Sequence, residues 1–119
     1  MPNPPFPSAT AAWFWTMATI EARHRPPGTV RIPPPGLEHA PCHPDEIVRC
    51  VDDLYRDRRI VLLHARILRL YGRRGRAPDP RRPAERCDRR LWTEAIEGLD
   101  ERLRARGIVA GPPSWLHEG

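Results

Sequence analysis

The 16 prolines of this 119-residue chain are unevenly placed, and their placement limits where regular structure can form. Eleven lie within the first 44 residues, none lies within residues 45–77, and five follow. Because proline removes a backbone hydrogen-bond donor and breaks helix interiors, long helices are expected where prolines are absent. We therefore predict a proline-rich, irregular N-terminal segment over residues 1–43, a helical domain over 44–110 and a flexible tail over 111–119.

Apolar residues recur at the spacing of an amphipathic helix in three stretches after residue 43. The spacing predicts helices from Pro44 to about Arg58, from about Val61 to Tyr71, and from Pro83 or Asp88 to Arg106. The second helix is expected to end at Gly72 in a left-handed cap. The stripes expected to face the core are Ile47, Val51, Leu54 and Tyr55, then Leu63, Ile67, Leu70 and Tyr71, and finally Trp92, Ile96, Leu99 and Leu103.

The N-terminal segment contains one further helical stretch, over residues 10–23. This short helix has a large apolar surface because three aromatic residues, Trp13, Phe14 and Trp15, are neighbours, and exposing such a surface to water is unfavourable. We expect this helix to dock on the core or on another subunit. The second possibility predicts a homodimer or a protein partner that is bound through Trp13, Phe14 and Trp15.

These patterns together predict a mainly α-helical fold, a small three- to four-helix domain preceded by a proline-rich irregular region. No run approaches the eighteen apolar residues that a membrane span needs, and the apolar stretch near the start lacks the basic flank of a signal peptide. Three cysteines are an odd number without a tight framework, which indicates reduced thiols. We expect a cytoplasmic protein without membrane association.

Catalytic and metal-binding patterns are weak in this chain. The only serines, Ser8 and Ser114, lie in terminal coils, and no phosphate-cradling glycine loop occurs, so we expect neither an enzyme nor a cofactor. The best metal candidate is the set His39, Cys42, His43 and Cys50. Structural zinc sites usually pair closely spaced ligands at both ends, whereas here only one end has such a pair. We interpret Cys50 as a small buried apolar residue and expect no metal.

The positive charge is concentrated in one segment. All 20 basic residues are arginine, and the net charge is +5. Residues 73–90 hold eight arginines against Asp79, Glu85 and Asp88, so this segment accounts for the whole net charge. Arginine binds phosphate through a planar fork of donors, which makes DNA the expected partner. A solvated loop in an arginine-biased composition is the alternative. The eight are Arg73, Arg74, Arg76, Arg81, Arg82, Arg86, Arg89 and Arg90.

Two resemblances involve this segment. The run Arg73-Arg74-Gly75-Arg76-Ala77-Pro78 resembles a degenerate AT-hook, although Ala77 interrupts the motif. Over residues 44–110, a basic loop is followed by a long helix that ends Leu103-Arg104-Ala105-Arg106-Gly107-Ile108-Val109. This stretch resembles winged helix-turn-helix regulators. In the regulators, such a helix ending leads into the wing. Only twelve residues follow Gly107, so a full wing barely fits.

The winged-helix resemblance implies roles for individual residues. Arg89, Arg90 and Thr93, at the N-terminal end of the third helix, would face bases, because recognition helices enter the major groove by that end. Five of the other arginines would hold phosphates: Arg73, Arg74, Arg76, Arg81 and Arg82. Glu94 and Glu97 on the same helix depart from this picture, since carboxylates repel phosphates.

The function predicted from the sequence is that of a small basic DNA-binding protein that binds through residues 73–93. It would be a transcriptional regulator or an accessory protein of a DNA transaction. The alternative is a helical protein–protein interaction or oligomerisation module with no nucleic-acid role. DNA binding requires the arginines to converge near the start of the third helix, whereas an exposed aromatic patch would favour the interaction module.

Overall fold

The computed structural model describes residues 3–24 and 40–111, which form four α-helices and a short 3-10 helix. The helices are α1 Ala9–Arg23, α2 Pro44–Arg56, α3 Leu62–Arg74 and α4 Arg86–Ala105, and the 3-10 helix Pro83–Glu85 directly precedes α4. The mainly α-helical class is confirmed. Within these ranges no strand forms, and the one β contact is an isolated parallel bridge between Phe6 and Val109. None of the described helices is long and apolar enough to cross a membrane.

All four helices contribute to one hydrophobic core. From α4 the core receives Trp92, Ala95, Leu99 and Leu103, so three residues of the predicted stripe are buried, and Ala95 takes the place of Ile96, which is only half-buried. From α2 it receives Ile47, Cys50 and Leu54. Tyr55 was expected on this face but is exposed, because the buried side of α2 is centred on Ile47, Cys50 and Leu54 and Tyr55 points away from it.

Helix α1 belongs to the same core, and its aromatic rings pack inside the chain. The Ser8 hydroxyl caps the helix by accepting from the Ala11 N–H at 3.1 Å. Trp13 and Trp15 are buried, and the Phe14 ring stacks on Trp92 with centroids 5.7 Å apart. The partner surface predicted through Trp13, Phe14 and Trp15 is therefore corrected: these side chains are occupied by contacts within the chain.

Helix α3 differs from its prediction in where it ends. Gly72 lies inside the helix and is buried, and the left-handed cap is Gly75, whose φ is 71°. Gly72 is needed where α1 crosses α3, because the indole N–H of Trp13 donates to the Leu68 carbonyl at 2.8 Å. A Cβ at position 72 would lie 2.6 Å from Met17 Cγ, so only glycine allows this approach.

The buried face of α3 is also rotated from the predicted one. Ile67, Leu68, Tyr71 and Gly72 are buried, whereas Leu63 and Leu70 are exposed. The reason is that α3 packs against two helices: Leu68 and Gly72 meet α1, while Tyr71 meets α4. A helix held between two neighbours buries positions i, i+1, i+4 and i+5, and the prediction assumed a single stripe.

Helix α4 ends at Ala105, within one residue of the predicted end at Arg106. Gly107 has φ 74°, and the chain then turns so that Ile108 and Val109 are buried. Phe6 donates to the Ile108 carbonyl at 2.9 Å, and its own carbonyl accepts from Ala110 at 2.8 Å. These bonds attach the N-terminal residues to the end of α4.

Two glycines in helix interiors provide a matched test of the packing between α1 and α3. We expect Gly72→Ala to lower the free energy of unfolding by about 1–3 kcal/mol, because the new methyl group overpacks against Trp13 and Met17. Gly98→Ala should raise it by roughly 0.5–1 kcal/mol, because alanine favours the helix and its Cβ meets Leu54 at an ordinary 3.5 Å. Urea unfolding followed by circular dichroism measures both changes. Equal changes in the free energy of unfolding for the two variants would contradict the close packing of α1 on α3.

Candidate nucleic-acid interface

The end of α3 and the start of α4 are joined at Tyr71. Its hydroxyl donates to Asp88 Oδ2 at 2.7 Å, and its ring meets Trp92 edge-on with centroids 6.3 Å apart. Burial, with the hydrogen bond to Asp88, raises the pKa of Tyr71 to about 12, so the phenol stays protonated and able to donate. This contact fixes both helix ends that border the arginine-rich segment.

Between these helix ends, the loop is organised around Glu85, which is only 7 % exposed. Arg76 donates to it through both Nη atoms, at 2.8 and 3.3 Å, and the Asp79 N–H donates at 3.1 Å. Arg82 approaches it at 3.6 Å. The Arg76 hydrogen bonds and the Asp79 N–H hold the pKa of Glu85 at about 2, so it is a carboxylate at neutral pH.

Every acid of the arginine-rich segment is engaged in a contact, either within the segment or with Tyr71. Glu85 binds Arg76, and Asp88 accepts from Tyr71. Asp79 Oδ1 accepts from the Arg81 N–H at 2.9 Å and from Arg81 Nε at 3.3 Å, and these contacts lower its pKa. The acids therefore stabilise the conformation of the loop. The net charge at the surface of the segment is set by the arginines that have no acidic partner.

The first two turns of α4 present such arginines on one face. Arg86, Arg90 and Thr93 occupy positions i, i+4 and i+7, so they lie above one another on the side opposite Ala95. Arg89 lies on the flank of this face and donates to the Pro78 carbonyl at 3.3 Å. This arrangement brings together four of the residues that the sequence indicated.

The remaining predicted arginines fall into two groups. Arg74 and Arg76 lie over the Tyr71 ring, 5.2 and 5.8 Å from its centroid, in cation–π geometry. Arg81 and Arg82 are exposed in the turn before the 3-10 helix. Arg73 lies apart from these, since its side chain lines a cavity beside α1. The structure thus does not bring all eight arginines onto one surface.

At its other end, α4 is neutralised by ion pairs. Arg102 contacts Asp57 at 2.6 Å, and Arg106 lies 3.7 Å from Asp53. Arg104 pairs with Asp100 one turn earlier, at 2.9 Å. The C-terminal half of α4 therefore carries little free charge, and the positive end of the helix is its N-terminal end.

Two arginines on α3 were not singled out from the sequence. Arg66 and Arg69 are exposed and share a face with Arg73, at positions i, i+3 and i+7. Helical spacing alone could have identified them, but the net-charge count drew attention to residues 73–90. With the arginines of α4 they form the set on α3 and α4 without an ion-pair partner in the described ranges: Arg66, Arg69, Arg73, Arg74, Arg86, Arg89 and Arg90.

The metal candidate does not assemble in the described part of the chain. His39 lies outside it, and no group of three metal-binding side chains occurs within it. Cys50 is buried in the core, and burial raises the pKa of the Cys42 thiol to about 11. Both side chains are therefore neutral free thiols rather than thiolates.

From the low pKa of Glu85 we predict how the stability of the fold changes at acid pH. Its folded pKa of about 2 lies below its ordinary value of 4.5, so the carboxylate stabilises the fold above pH 4.5, and this contribution is lost as the pH falls to about 2. We expect the melting temperature to decrease over that range in the unmodified protein, and to decrease less in Glu85→Gln, which should melt earlier at neutral pH. Glu101→Gln, which removes an exposed partner of Arg59, is the control. Equal pH profiles for all three proteins would contradict the role of Glu85.

Comparisons of this chain with protein-family models, with curated proteins and with solved structures found no match.

Proposed function

We propose that this chain is a small DNA-binding protein that contacts duplex DNA with the first two turns of α4. The observation that carries the proposal is that the exposed Arg86 and Arg90 share one face of α4 with the half-buried Thr93, on a helix end where no acid remains free within the segment. Arginine forks bind phosphate oxygens, and the helix dipole adds positive potential at this end. A transcriptional regulator and an accessory protein of a DNA transaction would both use such a surface.

The proposed contacts divide into phosphate-binding and base-facing residues. Arg86, at the first position of α4, is suited to a phosphate, as are the exposed guanidinium groups of Arg74, Arg81 and Arg82. Arg90 and Thr93 lie further along the exposed face and would approach base edges, with Arg89 beside them. Arg76 is left out of the interface, because both of its terminal nitrogens are bound to Glu85.

The proposed role of α4 as a recognition helix follows the winged-helix resemblance. Two features of the chain define how such a helix would dock. Residues 75–85 separate α3 from α4, a longer connection than the three- to four-residue turn of ordinary helix-turn-helix motifs. Glu94 and Glu97 follow Thr93 on the exposed side, so the DNA-facing part of α4 would stop at Thr93. We infer an end-on approach to the groove rather than one along the whole helix.

Fluorescence anisotropy of a short labelled duplex tests this proposal. We expect binding that weakens steeply between about 50 and 200 mM salt, because each neutralised phosphate releases counterions. Arg86→Gln with Arg90→Gln should weaken binding and reduce the slope of log affinity against log salt by about one, because one phosphate contact, that of Arg86, is lost, while the loss of the base-facing Arg90 lowers the affinity further. Thr93→Ala should leave the salt slope unchanged.

The matched control removes the same charge elsewhere. Arg49 and Arg58 are exposed on and after α2 and form no ion pair with a described acid. Replacing both by glutamine should leave the affinity and the salt slope close to those of the unmodified protein. Equal losses in the two double variants would mean that total charge alone attracts DNA, and no binding at low salt would exclude the proposal.

A second candidate function, a protein-interaction or oligomerisation module, is favoured by an exposed apolar patch. Tyr55, Val61, Leu62 and Leu63 are each 50–56 % exposed at the turn between α2 and α3. Tyr55, Val61 and Leu62 also line one surface depression, so they are neighbours in space. Contiguous exposed apolar surface of this kind is typical of protein-binding sites.

Light scattering coupled to size-exclusion chromatography tests the second candidate. If the patch joins two copies, the mass should rise towards that of a dimer with increasing concentration, and Leu62→Glu should keep the protein monomeric. Leu70→Glu is the control, because Leu70 is an exposed leucine that does not line the depression. A monomer at every concentration would exclude self-association through this patch.

A further inference from the structure

A cavity of about 600 Å³ lies between α1, α2 and α3. Its volume is within the range of small-molecule binding sites, about 300–1,000 Å³. Most of its wall is apolar and comes from all three helices: Trp13, Met17, Ile20, Val48 and Ala65. The Trp13 indole N–H is already satisfied by the Leu68 carbonyl, so this ring offers the cavity an apolar surface.

Two of the four polar residues that line the cavity are arginines. Arg69 and Arg73, one turn apart on α3, both line it, and neither forms an ion pair with a described acid. Glu21 and His24 are the other polar residues of its wall. Two guanidinium groups at i and i+4 on one helix can both reach a single carboxylate, which arginine binds through paired hydrogen bonds.

We propose that this cavity binds a small amphipathic organic acid, with an aromatic or branched aliphatic body between α1, α2 and α3. Its carboxylate is held by Arg69 and Arg73. The carboxylate of Glu21 in the same wall disfavours a second negative charge on the ligand, so the preferred class is a monoanion. This binding site is independent of the proposed DNA contacts on α4.

A pair of fluorescent probes tests the proposal on the full chain. The dye 8-anilinonaphthalene-1-sulfonate has an aromatic body and one anionic group, and N-phenyl-1-naphthylamine has the same body without the charge. We expect saturable binding of the sulfonate at one site, and at least about tenfold weaker binding of the uncharged dye, since charge-assisted hydrogen bonds contribute about that factor. Energy transfer to the bound dye from the four tryptophans of the chain, of which Trp13 lines the cavity, gives a second readout.

Two variants assign the binding to this cavity. Arg69→Gln should weaken the sulfonate about tenfold and leave the uncharged dye unchanged, whereas Arg66→Gln, one turn away and outside the cavity, should affect neither. Ala65→Phe should fill the space and reduce binding of both dyes, with near-ultraviolet circular dichroism verifying that the fold persists. The proposal is overturned if neither dye binds, if both bind equally, or if Arg66→Gln weakens the sulfonate as much as Arg69→Gln does.

Discussion

The burial of Tyr71 at the junction of α3 and α4 is the contact on which the arrangement of the arginine-rich segment depends. Its hydroxyl donates a hydrogen bond to Asp88, which sets the start of α4 against the end of α3, and Arg74 and Arg76 lie over its ring. From there Arg76 reaches Glu85, which closes the loop onto the 3-10 helix. One buried aromatic residue thus links the hydrophobic core to the charged surface, so that core packing also positions the cationic side chains.

The ion pairs explain why positive charge accumulates at one end of α4. The C-terminal arginines of α4 are matched by acids on α2 or on α4 itself, as in the Arg102–Asp57 contact. The acids near its N-terminus are held in contacts that build the loop, which leaves Arg86, Arg89 and Arg90 without acidic partners in the described ranges. Unpaired positive charge on α4 is therefore concentrated in its first two turns rather than at its C-terminal end.

Helical periodicity predicted the number of helices and most of their limits, including the glycine that ends α4, because each signal there is local. Periodicity did not predict which residues lie where two helices pack against each other. Gly72 was predicted to be the C-cap of α3, but it lies inside the helix where α1 crosses α3. This role depends on a contact with Trp13, which lies 59 positions earlier in the sequence. The core face of α3 and the burial of the α1 aromatics depend on the same crossing. In the candidate site, the arginines were predicted from charge density, whereas the Arg76–Glu85 contact and the separate position of Arg73 require the folded chain.

Nuclear magnetic resonance tests the proposed duplex-binding surface at the start of α4 residue by residue. Backbone amide and arginine Nε signals would be recorded while unlabelled duplex is added at low salt. We predict the largest shifts for residues 86–93, smaller ones for the Arg81–Arg82 turn, and none for the apolar patch around Val61. Shifts concentrated at that patch, or no shifts at any residue, would contradict the account.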